Sequence, residues 1–139
     1  MKGKDPSVFK ETVRYKLKFL DYAPICTVSA KTGQGMEKLL ATVDSVYKEY
    51  SRELTTSKLN SCFEEAIKKN PMSSYRGKFL KLYYCTQVRN CPPTIRCYVN
   101  FPDGIHFSYH RYLTNSLRKS FGFMGTPLRL EFLQRSSRH

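Results

Sequence analysis

A short polar turn follows the apolar run of residues 25–28 and carries groups that can bind a purine base. The turn begins with Ser29, Ala30 and Lys31 and continues as Thr-Gly-Gln-Gly over residues 32–35. In an open α/β sheet, ligands bind where a buried strand ends, and the following helix adds its positive dipole end. Backbone amides in such a turn can donate to the carbonyl oxygen of guanine. The same residues also suit a plain helix-capping turn, and the strand–loop–helix context favours the binding site.

The net charge of +13 is concentrated in the C-terminal part of the chain. Residues 1–55 carry ten Lys and Arg against seven Asp and Glu, whereas residues 56–139 carry fourteen against four, a net +10. Such a surplus favours a polyanionic partner, because each Lys or Arg that approaches a phosphate releases condensed counterions. We therefore expect a nucleic-acid partner, although a charge that serves only solubility gives the same totals.

Two strand-like runs, residues 79–88 and 94–100, are separated by Arg-Asn-Cys-Pro-Pro and predict a hairpin. Alternation predicts that one face meets the helices: Leu80, Leu82, Tyr84, Val88, Ile95, Cys97, Val99, Leu128, Leu130 and Phe132. The opposite face carries Lys81, Tyr83, Arg96, Tyr98 and Arg129. Basic and tyrosine side chains there can contact phosphates and stack bases. A solvated face, or one covered by another domain, fits the pattern equally well.

The sequence Gly-Phe-Met-Gly at residues 122–125 matches the Gly-x-x-Gly loop that clamps single-stranded RNA in KH domains. That loop normally joins two helices and carries small or basic central residues. Here it is predicted to join a helix to a strand, and Gly122 ending the helix with Phe123 packed back explains it without RNA. We therefore assign RNA contact to distributed basic side chains: Lys78, Lys81, Arg89, Arg96, Arg111, Arg118 and Lys119.

Few side chains could pair as a thiol nucleophile and its base: Cys85, Cys91, Cys97, His106 and His110. Cys85 and Cys97 fall in predicted strands, where a free cysteine usually packs, and His110 falls inside a predicted helix. We therefore expect no independent catalysis and assign no catalytic residue.

The five cysteines and three histidines form no metal-binding or disulfide pattern. There is no Cys-x-x-Cys pair and no zinc-finger spacing of histidines, and the cysteine count is odd. No apolar run reaches the length that spans a bilayer, and the first six residues contain no apolar signal segment. We expect no metal site and no membrane partner, and a reducing cytoplasm fits best.

Hydrophobic periodicity predicts the elements of residues 1–54. Asp5 and the proline after it predict the start of a helix over residues 6–20. A buried strand is expected over residues 25–28, and a second helix begins near Met36. This helix–strand–helix order is typical of the end of an α/β domain, and we interpret it as a remnant whose other strands are missing.

Residues 55–139 predict the order α-β-β-α-β, an α+β domain with three helices or fewer packed on a three-stranded sheet. Hydroxyl residues near Thr55 cap the first helix, which stops before Pro71. A polar stretch precedes the two strands of the hairpin. The last helix is expected to be capped by Ser108, and a final strand covers residues 127–134.

The polar turn and several later blocks resemble the bacterial GTPases with two Era-like domains, the EngA or Der family. Residues 22–25 and 29–34 are similar to the guanine-recognition segment that closes the second GTPase domain. The other blocks follow in the family's order: Thr-Ser-Lys-Leu-Asn at 56–60, Leu-Tyr-Tyr-Cys-Thr-Gln-Val at 82–88, Pro-Pro-Thr at 92–94, Phe-Ser-Tyr-His-Arg-Tyr-Leu at 107–113, and Phe-Gly-Phe-Met-Gly-Thr-Pro-Leu-Arg-Leu at 121–130.

The resemblance implies two GTPase domains in tandem, then a KH-like domain, acting in maturation of the large ribosomal subunit. Residues 1–54 would be the C-terminal remnant of the second GTPase domain and residues 55–139 the KH-like domain. Ser29, Ala30 and Lys31 would form an incomplete guanine site. The implied partners are large-subunit rRNA or a 50S precursor, and the GTPase domains of the same protein. The alternative is an interaction domain that docks on the GTPase domains and reports their nucleotide state.

The chain departs from the family in the motifs that hydrolyse GTP. It contains no Gly-rich phosphate loop with Lys and Ser or Thr, no Asp-x-x-Gly and no Asn-Lys-x-Asp. We therefore expect this fragment to have no GTPase activity and no cofactor of its own. The full-length family member would require GTP and Mg²⁺.

Overall fold

The N-terminal part of the chain forms two helices joined by an irregular segment. The computed structural model describes residues 5–136. Its first elements are helix α1 at Pro6–Lys16, a 3₁₀ turn at Lys18–Leu20 and helix α2 at Met36–Tyr50. Asp5 caps α1 as predicted, because its carboxylate accepts a hydrogen bond from the Ser7 amide at 3.0 Å. That bond lowers the pKa of the exposed Asp5 carboxyl.

The strand predicted over residues 25–28 does not form, so the expected helix–strand–helix order was wrong in its middle element. Within residues 5–136 no other strand pairs with this segment, and an unpaired strand leaves its backbone amides and carbonyls without a ladder. The first helix is also shorter than predicted, because the chain leaves helical geometry at Leu17, with φ −115° and ψ 53°.

The C-terminal part is an α+β domain, as predicted, with two helices on one side of a three-stranded sheet within the described residues. Its elements are helix α3 at Thr56–Lys69, strands β1 at Ser74–Tyr75, β2 at Lys78–Phe79, β3 at Leu82–Arg89 and β4 at Thr94–Val99, a 3₁₀ turn at Pro102–Gly104, helix α4 at Phe107–Phe121 and strand β5 at Arg129–Gln134. The sheet order is β3-β4-β5, with β3 antiparallel and β5 parallel to β4.

The hydrophobic core lies between α3, α4 and this sheet. Its completely buried side chains include Leu59, Phe63, Ile95, Leu113 and Leu117. Each such side chain contributes about 1.5–3 kcal/mol by leaving water. The expectation that the alternate residues of β4 and Leu130 of β5 face the helices is confirmed.

Strand β3 departs from the predicted alternation. A shift of register between Leu82 and Tyr84 leaves Tyr83 as an extra residue opposite β4. Beyond this bulge Cys85 points into the core and is completely buried, whereas Tyr84 is 44% exposed on the other face. A second shift of register lies between Gln87 and Arg89, and Val88 there is 40% exposed. The prediction that Tyr84 and Val88 face the helices was therefore wrong.

A two-stranded arm occupies the stretch that the sequence predicted to be a polar loop. Strands β1 and β2 pair antiparallel, with Tyr75 opposite Lys78. The two residues between them, Arg76 and Gly77, have φ of 48° and 74°. Two consecutive positive φ angles are the geometry of the tight hairpin turn that matches strand twist, which explains the glycine.

Helix α4 is capped by His106 rather than by Ser108. The His106 Nδ1 accepts a hydrogen bond from the Ser108 amide at 3.1 Å, so the helix begins at Phe107. Gly122 ends the helix, as predicted, with φ 89°.

The N-terminal helices rest against the C-terminal domain through backbone contacts, which we call the junction. The Gly125 amide donates to the Tyr22 carbonyl at 2.8 Å, and the Cys91 amide donates to the Tyr50 carbonyl at 2.9 Å. The Arg118 guanidinium lies over the Tyr22 ring, 4.3 Å from its centroid. The chain thus has two regions that meet at the junction.

Candidate nucleic-acid interface

The turn that the sequence assigns to guanine is closed by its own hydrogen bonds. The Ser29 amide donates to the Gln34 carbonyl at 2.9 Å, and the Gly33 amide donates to the Ser29 carbonyl at 2.8 Å. The Ser29 hydroxyl accepts from the Thr32 amide at 3.2 Å. Ser29 therefore shapes the turn and has its amide occupied.

Two backbone amides of the same turn stay available to a ligand. Among residues 5–136, nothing accepts a hydrogen bond from the amides of Ala30 and Lys31, and both residues are exposed. Two neighbouring amide donors suit the carbonyl oxygen of a guanine base. The turn thus presents two neighbouring amide donors to solvent.

The seven basic residues predicted to contact RNA do not form one continuous patch. Arg118 has a structural role, because its guanidinium donates hydrogen bonds to the carbonyls of Phe123 and Thr126, each at 2.9 Å. Its burial lowers the pKa of Arg118, yet arginine stays charged at neutral pH. Arg111 and Lys119 lie on the exposed side of α4. Three of the seven therefore belong to α4, away from the strands.

The other four basic residues accompany the sheet and its arm. Lys78 lies on β2, with its ammonium 5.5 Å from the centroid of the Phe101 ring. Lys81 precedes β3, Arg96 lies in the middle of β4, and Arg89 ends β3. Of these four residues, Arg96 lies on the side of the sheet that the helices leave uncovered.

We call this uncovered side the open face; its central residues are Tyr84, Arg96, Tyr98, Glu131 and Leu133. The rings of Tyr84 and Tyr98 stack, with centroids 4.5 Å apart and an angle of 21° between their planes. Arg96 pairs with Glu131 at 3.3 Å. A hydrogen bond to the Tyr98 hydroxyl, followed by the Glu131 contact, raises the pKa of Arg96. The open face is therefore aromatic and cationic.

One end of the open face forms a concavity of about 810 Å³ where β3 begins and β4 and β5 end. Its lining residues are Tyr83, Tyr84, Tyr98, Asn100, Gln134, Arg135 and Ser136. The Tyr83 ring has the Arg135 guanidinium 4.6 Å and the Lys81 ammonium 5.4 Å from its centroid. The bulge in β3 explains how two consecutive tyrosines border one space.

Five of the seven residues that line the concavity were missed from the sequence: Tyr84, Asn100, Gln134, Arg135 and Ser136. Tyr84 was assigned to the core because strict alternation put it there, and a bulge has no clear sequence signal. Arg135 follows the last strand, and its amide donates to the Val99 carbonyl at 3.0 Å, which extends the pairing of β5 with β4. The signal that could have identified Arg135 is its basic side chain directly after a predicted strand.

The Gly-Phe-Met-Gly segment at residues 122–125 is a packed turn. Phe123 has φ 56° and is completely buried, with its ring 5.2 Å from the Arg52 guanidinium. Its carbonyl is held by Arg118. These contacts agree with the interpretation of the segment as a helix-ending turn, and they leave Met124 as its exposed side chain.

The thiol and imidazole groups are arranged for packing. The Sγ atoms of Cys85 and Cys97 are 3.4 Å apart in the core, and that hydrogen bond, with burial, raises the pKa of Cys85 well above its usual range. His110 Nε2 lies 3.3 Å from the Leu130 carbonyl, and its ring meets Phe132 edge-on. No group of three or more His, Cys, Asp or Glu with metal-binding geometry occurs in residues 5–136.

None of the helices among residues 5–136 has both the length and the apolar character that crossing a bilayer requires.

Comparison with known proteins identifies the C-terminal domain. Residues 53–132 match the family model described as the C-terminal KH-domain-like domain of EngA bacterial GTPase enzymes. The chain is 47% identical over 130 residues to the GTPase Der of Geotalea uraniireducens, covering 94% of this chain and 30% of that protein. It is 47% identical over 128 residues to that of Natranaerobius thermophilus, covering 92% and 29%. It is 46% identical over 124 residues to the GTPase Der of Moorella thermoacetica, covering 89% of this chain and 28% of that protein.

The matched range contains α3, α4 and the sheet of the C-terminal domain up to Phe132. The chain spans about 30% of the length of the curated relatives that it matches. The order of blocks found in the sequence, the α+β fold and the family model agree. The chain therefore belongs to the EngA family of bacterial GTPases and matches its C-terminal KH-like domain.

Proposed function

We propose that this chain is the C-terminal, rRNA-facing module of a ribosome-assembly GTPase, acting in the cytoplasm in biogenesis of the large ribosomal subunit. The observation that carries the proposal is the net charge of +10 over residues 56–139, in a domain of the EngA family. A charge of this size makes association with a polyanion favourable through counterion release. The free cysteines suit a reducing compartment.

The boundary of the two regions would lie near residue 54, with the KH-like domain after it. Residues 1–54 would complete the second GTPase domain of the full-length protein. In that protein GTP and Mg²⁺ would be bound largely by other segments. The amides of Ala30 and Lys31 would contribute the edge of the guanine site.

Filter binding of the chain to large-subunit rRNA over a salt series tests this function. We expect measurable binding at low salt and a linear fall of log K with log salt. For about five phosphate contacts the slope is about −3.5 on single strands and about −4.5 on duplex segments. Absence of binding at low salt, or a slope near zero, would contradict the proposal.

The alternative function, docking on the GTPase domains, is favoured by the apolar side of α2. Leu40, Val43 and Tyr47 are 61%, 55% and 62% exposed, beside a groove of about 460 Å³ that includes Leu39 and Val46. An exposed apolar stripe of this kind commonly marks a protein interface.

Mixing the chain with separately produced GTPase domains tests the alternative. We expect a stable complex that Val43→Asp weakens and Glu37→Gln, on the first turn of the same helix, does not. No association at high micromolar concentration would count against it.

A further inference from the structure

We propose that the open face, together with the concavity at its end, is a binding site for single-stranded RNA whose bases stack on tyrosine rings. This inference rests on the proposed function and names the form of RNA and the side chains that hold it. Four observations carry it: the tyrosine cluster, the cations beside it, the scarcity of acids and the shape of the surface.

The tyrosines offer flat apolar surface that the fold itself does not bury. Tyr84 and Tyr98 already stack in parallel, and Tyr84 is 44% exposed. Tyr83 is 36% exposed and borders the same concavity. Aromatic rings that present a face to solvent are the platforms on which unpaired bases stack, whatever their sequence.

The cations lie where a backbone that passes over these rings would run. Arg135 and Lys81 flank the Tyr83 ring, at 4.6 and 5.4 Å from its centroid. Arg96 lies in the centre of the open face, and Arg129 pairs with Thr94 at the far end. From Thr94 to Val99, β4 rises about 16 Å, so positive groups follow the sheet along its whole length.

Negative charge is scarce on this surface. Among the described residues of the open face, Glu131 is the acidic one, and its carboxylate is already paired with Arg96. A protein partner with a mixed surface would need acids of its own to match these cations, whereas a phosphate backbone supplies one charge for each nucleotide. Charge complementarity therefore favours nucleic acid as the occupant.

The shape of the surface selects single strands. In a duplex each base already stacks on its neighbours and cannot lie on a tyrosine, whereas an unpaired base can be splayed onto the ring. The concavity at the end of the open face is bordered by rings and by polar residues such as Gln134, which gives a splayed base a place to enter.

Fluorescence anisotropy with a labelled ten-nucleotide single-stranded RNA and a matched RNA duplex tests the site. We expect Tyr84→Leu and Tyr98→Leu each to weaken single-strand binding about tenfold, because each removes a stacking platform. The salt slope should stay unchanged in these variants, since no phosphate contact is lost. Tyr47→Leu on α2, at a tyrosine that is 62% exposed and lies outside the open face, is the control and should bind like the unmodified chain.

Charge variants separate stacking from phosphate contact. Arg135→Gln should weaken single-strand binding and reduce the magnitude of the salt slope by about 0.7, one phosphate contact. Lys48→Gln, at an exposed residue of α2 outside the set assigned to RNA contact, is the control for the loss of one positive charge. Glu131→Gln should tighten binding about twofold, because it removes the acid that competes for Arg96.

If circular dichroism shows that a tyrosine variant is unfolded, crosslinking of the unmodified chain to RNA that contains 4-thiouridine tests the site instead. We expect crosslinked peptides from residues 82–89 and 94–99 of the unmodified chain. Binding of rRNA with a normal salt slope, but unchanged affinity in Tyr84→Leu and crosslinks confined to α4, would overturn the site and leave the proposed function standing. Absence of any RNA binding would overturn both.

A protein occupant gives a different result. If Tyr84→Leu and Tyr98→Leu leave RNA binding intact but abolish the complex with the GTPase domains, the open face is a protein-docking surface and the inference is wrong. A single-stranded DNA of the same sequence, bound as tightly as the RNA, would contradict the choice of RNA, because recognition would not involve the 2′-hydroxyl.

Discussion

The two regions of the chain differ in what they bury. Every residue from 5 to 58 keeps some exposure, whereas all twelve buried hydrophobic residues among the described ones lie between Leu59 and Leu130. Helix α2 is as regular as α3, yet its apolar stripe faces solvent, and α3 buries Leu59, Cys62, Phe63 and Ala66. Local sequence can therefore specify a helix in either region, but only the C-terminal domain gains stability from a core.

The junction shows how the two regions depend on one another. Phe123 is completely buried although it lies in a turn, and Arg52 from the N-terminal region covers its ring. Gly125 packs so closely that a Cβ there would overlap the Val46 side chain and lie 3.2 Å from Pro24 Cδ. This close packing and the hydrogen bond from the Cys91 amide to the Tyr50 carbonyl hold α2 against the domain, while Leu40, Val43 and Tyr47 on its apolar side remain exposed.

The largest difference between the regions should appear when a buried and an exposed apolar residue are truncated. We expect Phe63→Ala to lower the free energy of unfolding by about 3–5 kcal/mol, because it leaves a cavity in the core. Val43→Ala, at a residue 55% exposed, should change it by less than about 0.5 kcal/mol. Urea unfolding followed by circular dichroism measures both.

Ile95→Val keeps that comparison measurable if the alanine variant does not fold, with an expected loss of about 1 kcal/mol. Equal losses for Phe63→Ala and Val43→Ala would mean that α2 contributes to a core as much as α3 does, which contradicts the difference between the regions.

The second effect concerns the junction itself. Gly125 and Gly77 have φ of 82° and 74°, so alanine at either position costs about 1–2 kcal/mol of backbone strain. A Cβ on Gly77 meets nothing within 4 Å, whereas one on Gly125 overlaps Val46. We expect Gly125→Ala to lose about 1–3 kcal/mol more than Gly77→Ala.

A double variant identifies the cause of that extra loss. Adding Val46→Ala to Gly125→Ala should recover most of it, since the overlapping methyl groups are removed. Equal losses in the two single glycine variants, measured by urea unfolding, would show that the regions are not packed at this point.

The helices and most of the C-terminal fold were predictable because their signals are local. The capping residues Asp5 and Thr55 and the glycine after α4 act within one turn of their helices, so sequence alone locates them. The strand expected at residues 25–28 was not predictable in this way, because a strand exists only with a partner. The apolar residues at 25–28 are compatible with a strand, but they do not show whether a second strand is available to pair with it.

The open face was only partly predictable for a related reason. Strict alternation assigned Arg96, Tyr98 and Arg129 to it, in agreement with the pairing of β4 and β5. The bulge in β3 changed the positions of Tyr84 and Cys85, and bulges depend on how two strands fit rather than on residue types. The arm was missed because its strands have two residues each, too few for a period to be read.

The third effect is a loss of stability at alkaline pH that belongs to the buried Cys85 thiol. The pKa of Cys85 is raised in the folded chain, by its hydrogen bond to Cys97 and by burial. Its contribution to stability is full below the unfolded thiol pKa of about 8.5 and is lost as pH rises above it, because only the unfolded thiol ionises.

The free energy of unfolding, measured with urea, should therefore be about 1 kcal/mol lower at pH 9.5 than at pH 8.0 because of this thiol. Cys85→Ala should reduce the difference, and Cys26→Ala, at a half-buried thiol outside the core, should not. This window stays below the ordinary tyrosine pKa of about 10, so Tyr109, whose pKa burial raises to about 12, does not contribute. An unchanged difference in Cys85→Ala would contradict the assignment.

The smallest effect is expected for the ion pair on the open face. The side chains of Arg96 and Glu131 are 37% and 47% exposed, so solvent screens their attraction. Glu131→Gln should change the free energy of unfolding by less than about 0.5 kcal/mol, as measured by urea unfolding. A decrease of more than about 2 kcal/mol would mean that the Arg96–Glu131 pair stabilises the fold. Arg96 would then be less available to bind a ligand.

Hydrogen exchange followed by mass spectrometry tests the central claim most directly, on the free chain and on the chain with excess single-stranded RNA. We expect α3, α4 and β4 to exchange at least about a hundredfold more slowly than α1 and α2. We expect RNA to slow exchange further in β3, β4 and β5 and to leave exchange in α1 and α2 unchanged. Equal protection of α2 and α3 in the free chain, or RNA protection confined to the N-terminal helices, would contradict it.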